Sequence, residues 1–233
     1  MSANPTLFMK PALPDADAEI RAAGQRIVGT ALGLNPLAHA PEVVAQAVRA
    51  APGNLVLLWS GWMGHDREQR DVRNWGPDAW ARLEALVDHL ESAPDLGDKR
   101  ILLRPVVRGV LSDLQRCRKL FFERPRRRIA LALEPCAFLE SGMLATVEDH
   151  LDRAIESLGS LAGAIVLGNV GRGDQEDADE APLKSASVQS GLVPPALLGK
   201  LGRRRPDPGV PVILITDNDE AALRALAWDR TAT

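Results

Sequence analysis

The strongest constraint on how this chain can fold is a series of short apolar runs, each followed by an amphipathic stretch. The runs are Leu55–Trp59, 101–103, Ile129–Leu133, 164–167 and 210–215, with Thr6–Met9 as a further candidate. They are continuous rather than alternating, which is how a strand reads when both of its faces are buried. Between them lie stretches with helical spacing. Pro41 opens one that carries Val44, Val48 and Ala51, and Pro77 opens another with Trp80, Leu83, Val87 and Leu90. Ser112 is the expected cap of a third, with Leu114, Cys117 and Phe121 on its apolar stripe. Thr146 and Asp149 form a near capping box before Leu151, Ala154 and Leu158, and Asp217 or Asn218 caps the last helix.

Strand and helix in alternation predict parallel βαβ units. The fold class expected is α/β, a TIM-type (β/α) barrel over residues 1–233 as one domain. Six βα units can be counted, which makes the barrel shortened or incomplete. A length of 233 residues agrees, because a full barrel of this type needs about 250. The missing strands would lie in residues 24–34, or a second copy of the chain would close the barrel and cover its open strand edges.

Leu103-Arg104-Pro105 and Leu133-Glu134-Pro135 end two successive strands, one βα unit apart. This echo predicts that Arg104 and Glu134 emerge side by side at one end of the barrel. Residues 168–191 are polar, and 171–191 is expected to be a flexible loop, either a plain insertion or a lid. Gly171-Arg172-Gly173 within it is a weak phosphate-binding motif. The basic clusters 124–128 and 203–205 precede strands and therefore sit on the face opposite any site, as solvated turns or, in the alternative, as a patch for nucleic acid, phosphate or an acidic partner.

Catalytic groups in such barrels collect where strands end and helices begin. That rule selects Ser60, Gly61, Trp62, His65 and Asp66, then Arg104, Glu134 and Cys136, Asn169, and finally Thr216, Asp217 and Asp219. Glu134 is the leading candidate, as a general base, a metal ligand or the partner of Arg104. Arg104, Asn169 or His65 would stabilise developing negative charge. Trp59 and Trp62 offer a stacking face to a ligand, or fill the core. His65, Asp66 and Asp217 are further ligand-binding candidates. Cys136 reads as a small buried hydrophobe.

From Leu55 onward, the order of strand ends resembles the xylose-isomerase-like TIM barrel family of sugar isomerases and epimerases. In that family, histidine and acidic residues at the strand ends hold a divalent metal, which polarises the sugar carbonyl during proton transfer. Here the corresponding positions are Ser60, Arg104, Glu134, Val166-Leu167-Gly168-Asn169 and Thr216, with Asp217 adjacent. Most ligands are replaced, and Glu134 and His65 are the metal candidates left. The resemblance implies a small polar or carbohydrate-like ligand and, for an active enzyme, isomerisation or epimerisation beside a carbonyl. The alternative is a non-catalytic barrel, a pseudoenzyme that works in binding or assembly.

A net charge of −3 draws neither nucleic acid nor membrane by a global field. Two cysteines in unlike contexts fit a reducing compartment. The start of the chain has no basic and apolar pattern of a signal peptide. These readings predict a cytoplasmic protein.

Overall fold

The computed structural model describes residues 6–11, 16–22, 26–123, 126–172, 183–204 and 206–227. Eight strands form a closed barrel. In chain order they are β1 (Thr6–Met9), β2 (Ala18–Arg21), β3 (Ile27–Ala31), β4 (Leu55–Trp59), β5 (Arg100–Arg104), β6 (Ile129–Leu133), β7 (Ala162–Leu167) and β10 (Val212–Ile215). Around the barrel the order is β1-β10-β7-β6-β5-β4-β3-β2, and β2 returns to β1. β8 (Asn169–Arg172) and β9 (Leu183–Ala186) form a separate antiparallel ribbon.

Six helices follow six of the strands: α1 (Pro41–Ala50), α2 (Pro77–Ser92), α3 (Leu114–Phe122), α4 (Val147–Leu158), α5 (Pro195–Arg203) and α6 (Asp219–Ala225). Six βα units are present among the described residues, but the first is β3–α1 rather than one built on Thr6–Met9, which β2 follows, and the expected incompleteness is corrected because the barrel is closed. β2 runs antiparallel to both of its neighbours, with Met9 paired to Ile20 and Ala18 to Ala31. An antiparallel strand joins its neighbours by hairpins, whereas a parallel crossover needs a dozen or more residues. Two hairpins thus supply the missing wall in a short span. The barrel edges that a second copy was expected to cover are paired within the chain.

β3 lies in the stretch where a strand was sought. Gly29 lets it sit close against β4, since a Cβ there would come within 2.1 Å of the Leu55 carbonyl oxygen. On the two sides of the polar stretch, Asn169–Arg172 and Leu183–Ala186 pair as the β8–β9 ribbon. Gly173 and residues 174–180 lie outside the described residues, as do residues 1–5, Arg124 and Arg205.

Two apolar layers explain the continuous runs. Leu7, Met9, Ile20, Leu57, Leu102, Ala132, Ala164, Val166, Ile213 and Ile215 fill the barrel interior. The alternate residues, among them Val56, Leu58, Ile101, Leu103, Leu131, Leu133 and Ile165, pack outward against the helices. Successive strand side chains point to opposite faces, so burying both faces requires every residue to be apolar. Asn218 caps α6 as expected, accepting from the Ala221 N–H at 2.9 Å. α3 differs from expectation: its cap is Asp113, which accepts from the Arg116 N–H at 2.9 Å, while Ser112 lies one residue outside.

Among the described residues, no helix is long and apolar enough to cross a membrane. The basic turns are held by acidic neighbours. Arg126 reaches Asp88 at 2.9 Å, the Arg127 N–H donates to Glu91 at 2.7 Å, and Arg204 meets Asp152 at 2.6 Å.

Closure by β2 makes Ile20, which is fully buried, part of the barrel core. Ile20→Ala is expected to lower unfolding free energy by about 2–5 kcal/mol in chemical denaturation. A change within about 0.5 kcal/mol, the range of surface substitutions, would mean that β2 is not an integral wall.

Candidate functional site

At the C-terminal mouth of the barrel, strand parity decides which side chains face the axis. Trp59 pairs with Arg104 across β4 and β5. Leu103 pairs with Leu131, and that register continued sets Arg104 level with Ala132, two residues short of Glu134. An even offset keeps both side chains on the inner face, and the length of arginine spans the step. Arg104 Nη2 donates to Glu134 Oε2 at 2.7 Å and Nε donates to the same oxygen at 3.2 Å. The two residues are 2% and 3% exposed, so this is a buried ion pair at the top of the core.

Glycine at the next strand end makes room for it. A Cβ on Gly168 would stand 3.0 Å from Glu134 Oε1 and 2.8 Å from Ile215 Cδ1. The guanidinium of Arg104 also lies over the Trp59 ring, 4.0 Å from its centre. A second cation, Arg67 from the loop after β4, lies 4.4 Å from the same centre. Burial first, and then the like charge of Arg104, push the Arg67 pKa below the ordinary guanidinium value.

Above this pair is a cleft of about 60 Å³, bordered by Trp59, Arg67, Arg108 and Glu134, with Val106, Val107 and Leu139 on its apolar side. That volume holds roughly four to six water-sized groups. The ribbon adds Val170, Leu183 and Ser185. A larger hollow of about 530 Å³ adjoins it between α3 and α4. Its arginines are committed elsewhere: Arg116 donates to the Trp75 carbonyl at 2.6 Å and Arg153 pairs with Asp149 at 2.5 Å.

Three asparagines fix the loops of the rim. Asn35 donates to the Trp62 carbonyl at 2.8 Å and accepts from the Trp62 N–H at 3.2 Å. Asn74 accepts from the Met63 N–H at 2.5 Å and donates to the Arg108 carbonyl at 2.6 Å, tying the loop after β4 to the loop after β5. Asn169 donates to the Val193 carbonyl at 2.8 Å and accepts from the Val193 N–H at 3.0 Å. Its carboxamide is thus engaged by backbone, although the residue borders the cleft.

The structure therefore brings together Trp59, Arg104, Glu134, Cys136 and Asn169 from the residues selected in sequence. It leaves out His65 and Asp66, which are exposed on the loop beyond, where Asp66 accepts from the Glu68 N–H at 2.8 Å in a local turn. Asp217 is exposed and outside the cleft, and Asp219 meets Arg21 at 3.6 Å. Trp62 is buried away from the cleft, and among the described residues its indole N–H has no hydrogen-bond partner. Burial, and next the charge of Glu134, push the Cys136 thiol upward, so it stays protonated and packs as an apolar group. Arg67 and Arg108 were missed in sequence. Their loops carry no periodic signal, and only tertiary folding brings them over Trp59 and Glu134.

No family model and no curated protein matches the chain. It is similar to solved xylose isomerase-like barrels. One is a xylose isomerase domain protein from Planctomyces limnophilus, at 8% identity and a TM-score of 0.47, over 80% of this chain and 60% of that one. Another is a xylose isomerase-like TIM barrel protein from Mycobacterium smegmatis in complex with magnesium, at 10% identity and a TM-score of 0.46, over 80% and 64%. A third is mannonate dehydratase from Streptococcus suis serotype 2, at 12% identity and a TM-score of 0.47, over 80% and 67%. The chain spans less than two thirds of the first two.

The donor set does not fit the divalent metal that the resemblance implies. Glu134, the one carboxylate in register, faces a guanidinium. Ser60 is buried, and among the described residues its hydroxyl has no partner. Thr216 accepts from the Gln189 side-chain N–H at 2.9 Å and donates its one hydroxyl proton to the Asn218 carbonyl at 2.9 Å. Among the described residues, no three His, Cys, Asp or Glu side chains converge, whereas a hard cation needs several such ligands.

Removing either member of the buried pair strands a charge in the core. Arg104→Ala and Glu134→Ala should each lower stability by about 3–5 kcal/mol. The double variant should cost clearly less than the sum, as read from denaturation midpoints in a double-mutant cycle. Strict additivity would show that the two groups do not interact in solution.

Proposed function

We propose that this barrel binds a small polar, carbohydrate-like ligand in the cleft at its C-terminal mouth, without a resident divalent metal. The observation that carries the reading is the replacement of a ligand position by Arg104, whose guanidinium holds Glu134. Positive charge is thus supplied to the mouth by the chain itself. Arg67 and Arg108 enlarge the field, and the valines and Leu139 offer a surface to the carbon skeleton of a ligand. Such a balance of a few convergent polar groups on an apolar wall is usual for small-molecule sites. Trp59 borders the ligand, but its ring carries two guanidinium groups and is not left open for stacking.

A second reading has its own observation. Both hydrogen bonds from Arg104 fall on Oε2, so Glu134 Oε1 is the oxygen left to meet a ligand. From there the carboxylate can take a proton beside a carbonyl, with a guanidinium steadying the enolate-like charge. Isomerisation or epimerisation is the reaction class this geometry supports.

Two measurements test both readings. Thermal shifts against a panel of neutral sugars and polyols, with and without magnesium or manganese, should show stabilisation by an organic ligand that does not depend on the metal. A ligand effect seen only with metal would overturn the metal-independent site. For the second reading, Glu134→Gln should abolish proton exchange into a bound hydroxy-carbonyl compound, followed by NMR in deuterated water, while the thermal shift persists. Exchange at the unchanged rate in that variant would remove Glu134 from the chemistry.

A further inference from the structure

Arg67 is placed where a cation is costly to keep. Its side chain is 15% exposed, and Glu68, its nearest carboxylate, stands at 3.9 Å, the outer limit of an ion pair. It shares the Trp59 ring with Arg104, so two like charges flank one indole. Glu134, the buried carboxylate that would otherwise balance it, already accepts two hydrogen bonds from Arg104. Asp66, the other nearby acid, is exposed to solvent. A guanidinium has five N–H donors in a planar fork. Among the described residues, none of those of Arg67 has a hydrogen-bond acceptor, and the group borders the cleft.

A partly enclosed guanidinium fork beside a small cleft is complementary to a planar or tetrahedral oxyanion, which accepts two parallel N–H bonds. Apolar side chains on the far wall suit a short carbon skeleton rather than a free inorganic ion. Within the ligand-binding reading above, on which this rests, we infer that the cleft recognises an acidic derivative of a short polyol, with its carboxylate or phosphate seated on Arg67.

Stacking on Trp59 alone would leave its donors unused, and burial weakens its hold on the proton for the same reason that an anion would restore it. Binding of the acid should therefore be sensitive to salt, because the attraction is largely electrostatic.

The test uses a matched trio of probes: glycerol, glycerate and glycerol 3-phosphate. Titration calorimetry on the full chain at low and high salt reads each affinity, with one neutral sugar from the panel as reference. At least one acid is expected to bind ten-fold or more tightly than glycerol, and which acid does so separates carboxylate from phosphate recognition. Arg67→Gln should erase that preference, read as the ratio of acid to glycerol affinity in the same variant. Arg67→Lys should keep the charge but lose much of the preference, because a point charge replaces the fork. Circular dichroism confirms that each variant is folded, and should Arg67→Gln fail to fold, the lysine variant decides. Equal affinity for glycerol and both acids would overturn the inference and leave the ligand-binding reading standing. So would a preference unchanged in the variants. No binding by any probe, the neutral sugar included, would overturn both.

Discussion

The ion pair between Arg104 and Glu134 governs the mouth of this barrel. Two charges removed from water hold together only when each answers the other, and here one carboxylate oxygen receives both N–H groups. The pair shapes what surrounds it. Gly168 is small because Oε1 occupies the space that a side chain would need. Trp59 lies under the guanidinium, and Arg67 must accept a like-charged neighbour across the ring. Closing the top of an apolar interior with a neutralised pair leaves the cleft above it polar, while Leu57, Leu102 and Ala132 below remain dry.

The rim is rigid for a different reason. Strand ends alone do not determine where loops go, and loops carry backbone groups that must be satisfied. Asn35 and Asn74 satisfy them across loops, so the segments after β3, β4 and β5 are fixed to one another, and Asn169 does so within the segment after β7. The cleft walls are consequently set by backbone contacts, and the side chains of Arg67 and Arg108 are presented from supported loops. Precise placement of binding groups depends on that kind of support.

Much of this was legible in the chain itself. Continuous apolar runs marked six strands, because burial on both faces leaves an unambiguous composition. The echo of Arg104 and Glu134 located the buried pair, since equal positions in successive units share a parity. β2 was not legible: Ala18-Glu19-Ile20-Arg21 has one buried residue, and a hairpin strand with a solvated side loses the continuous pattern. The ribbon was hidden for a related reason, since Leu183–Ala186 carries a lysine and a serine and borders polar sequence. His65 and Asp66 looked functional by residue type and by nearness to a strand end. Their loop turns them toward solvent, and spacing along the chain carries no information about that turn.

The β1–β10 seam has a consequence for how the molecule is made. Thr6 pairs with Val212, and Met9 with Ile215, so the contact that seals the cylinder joins two segments from nearly opposite ends of the sequence. Every other parallel pairing in the cylinder links strands that follow one another more closely. During synthesis, β1 and its hairpin must wait, with an unpaired margin, until β10 has left the ribosome. The contact closes the longest loop in the cylinder and so carries the largest loop-closure entropy.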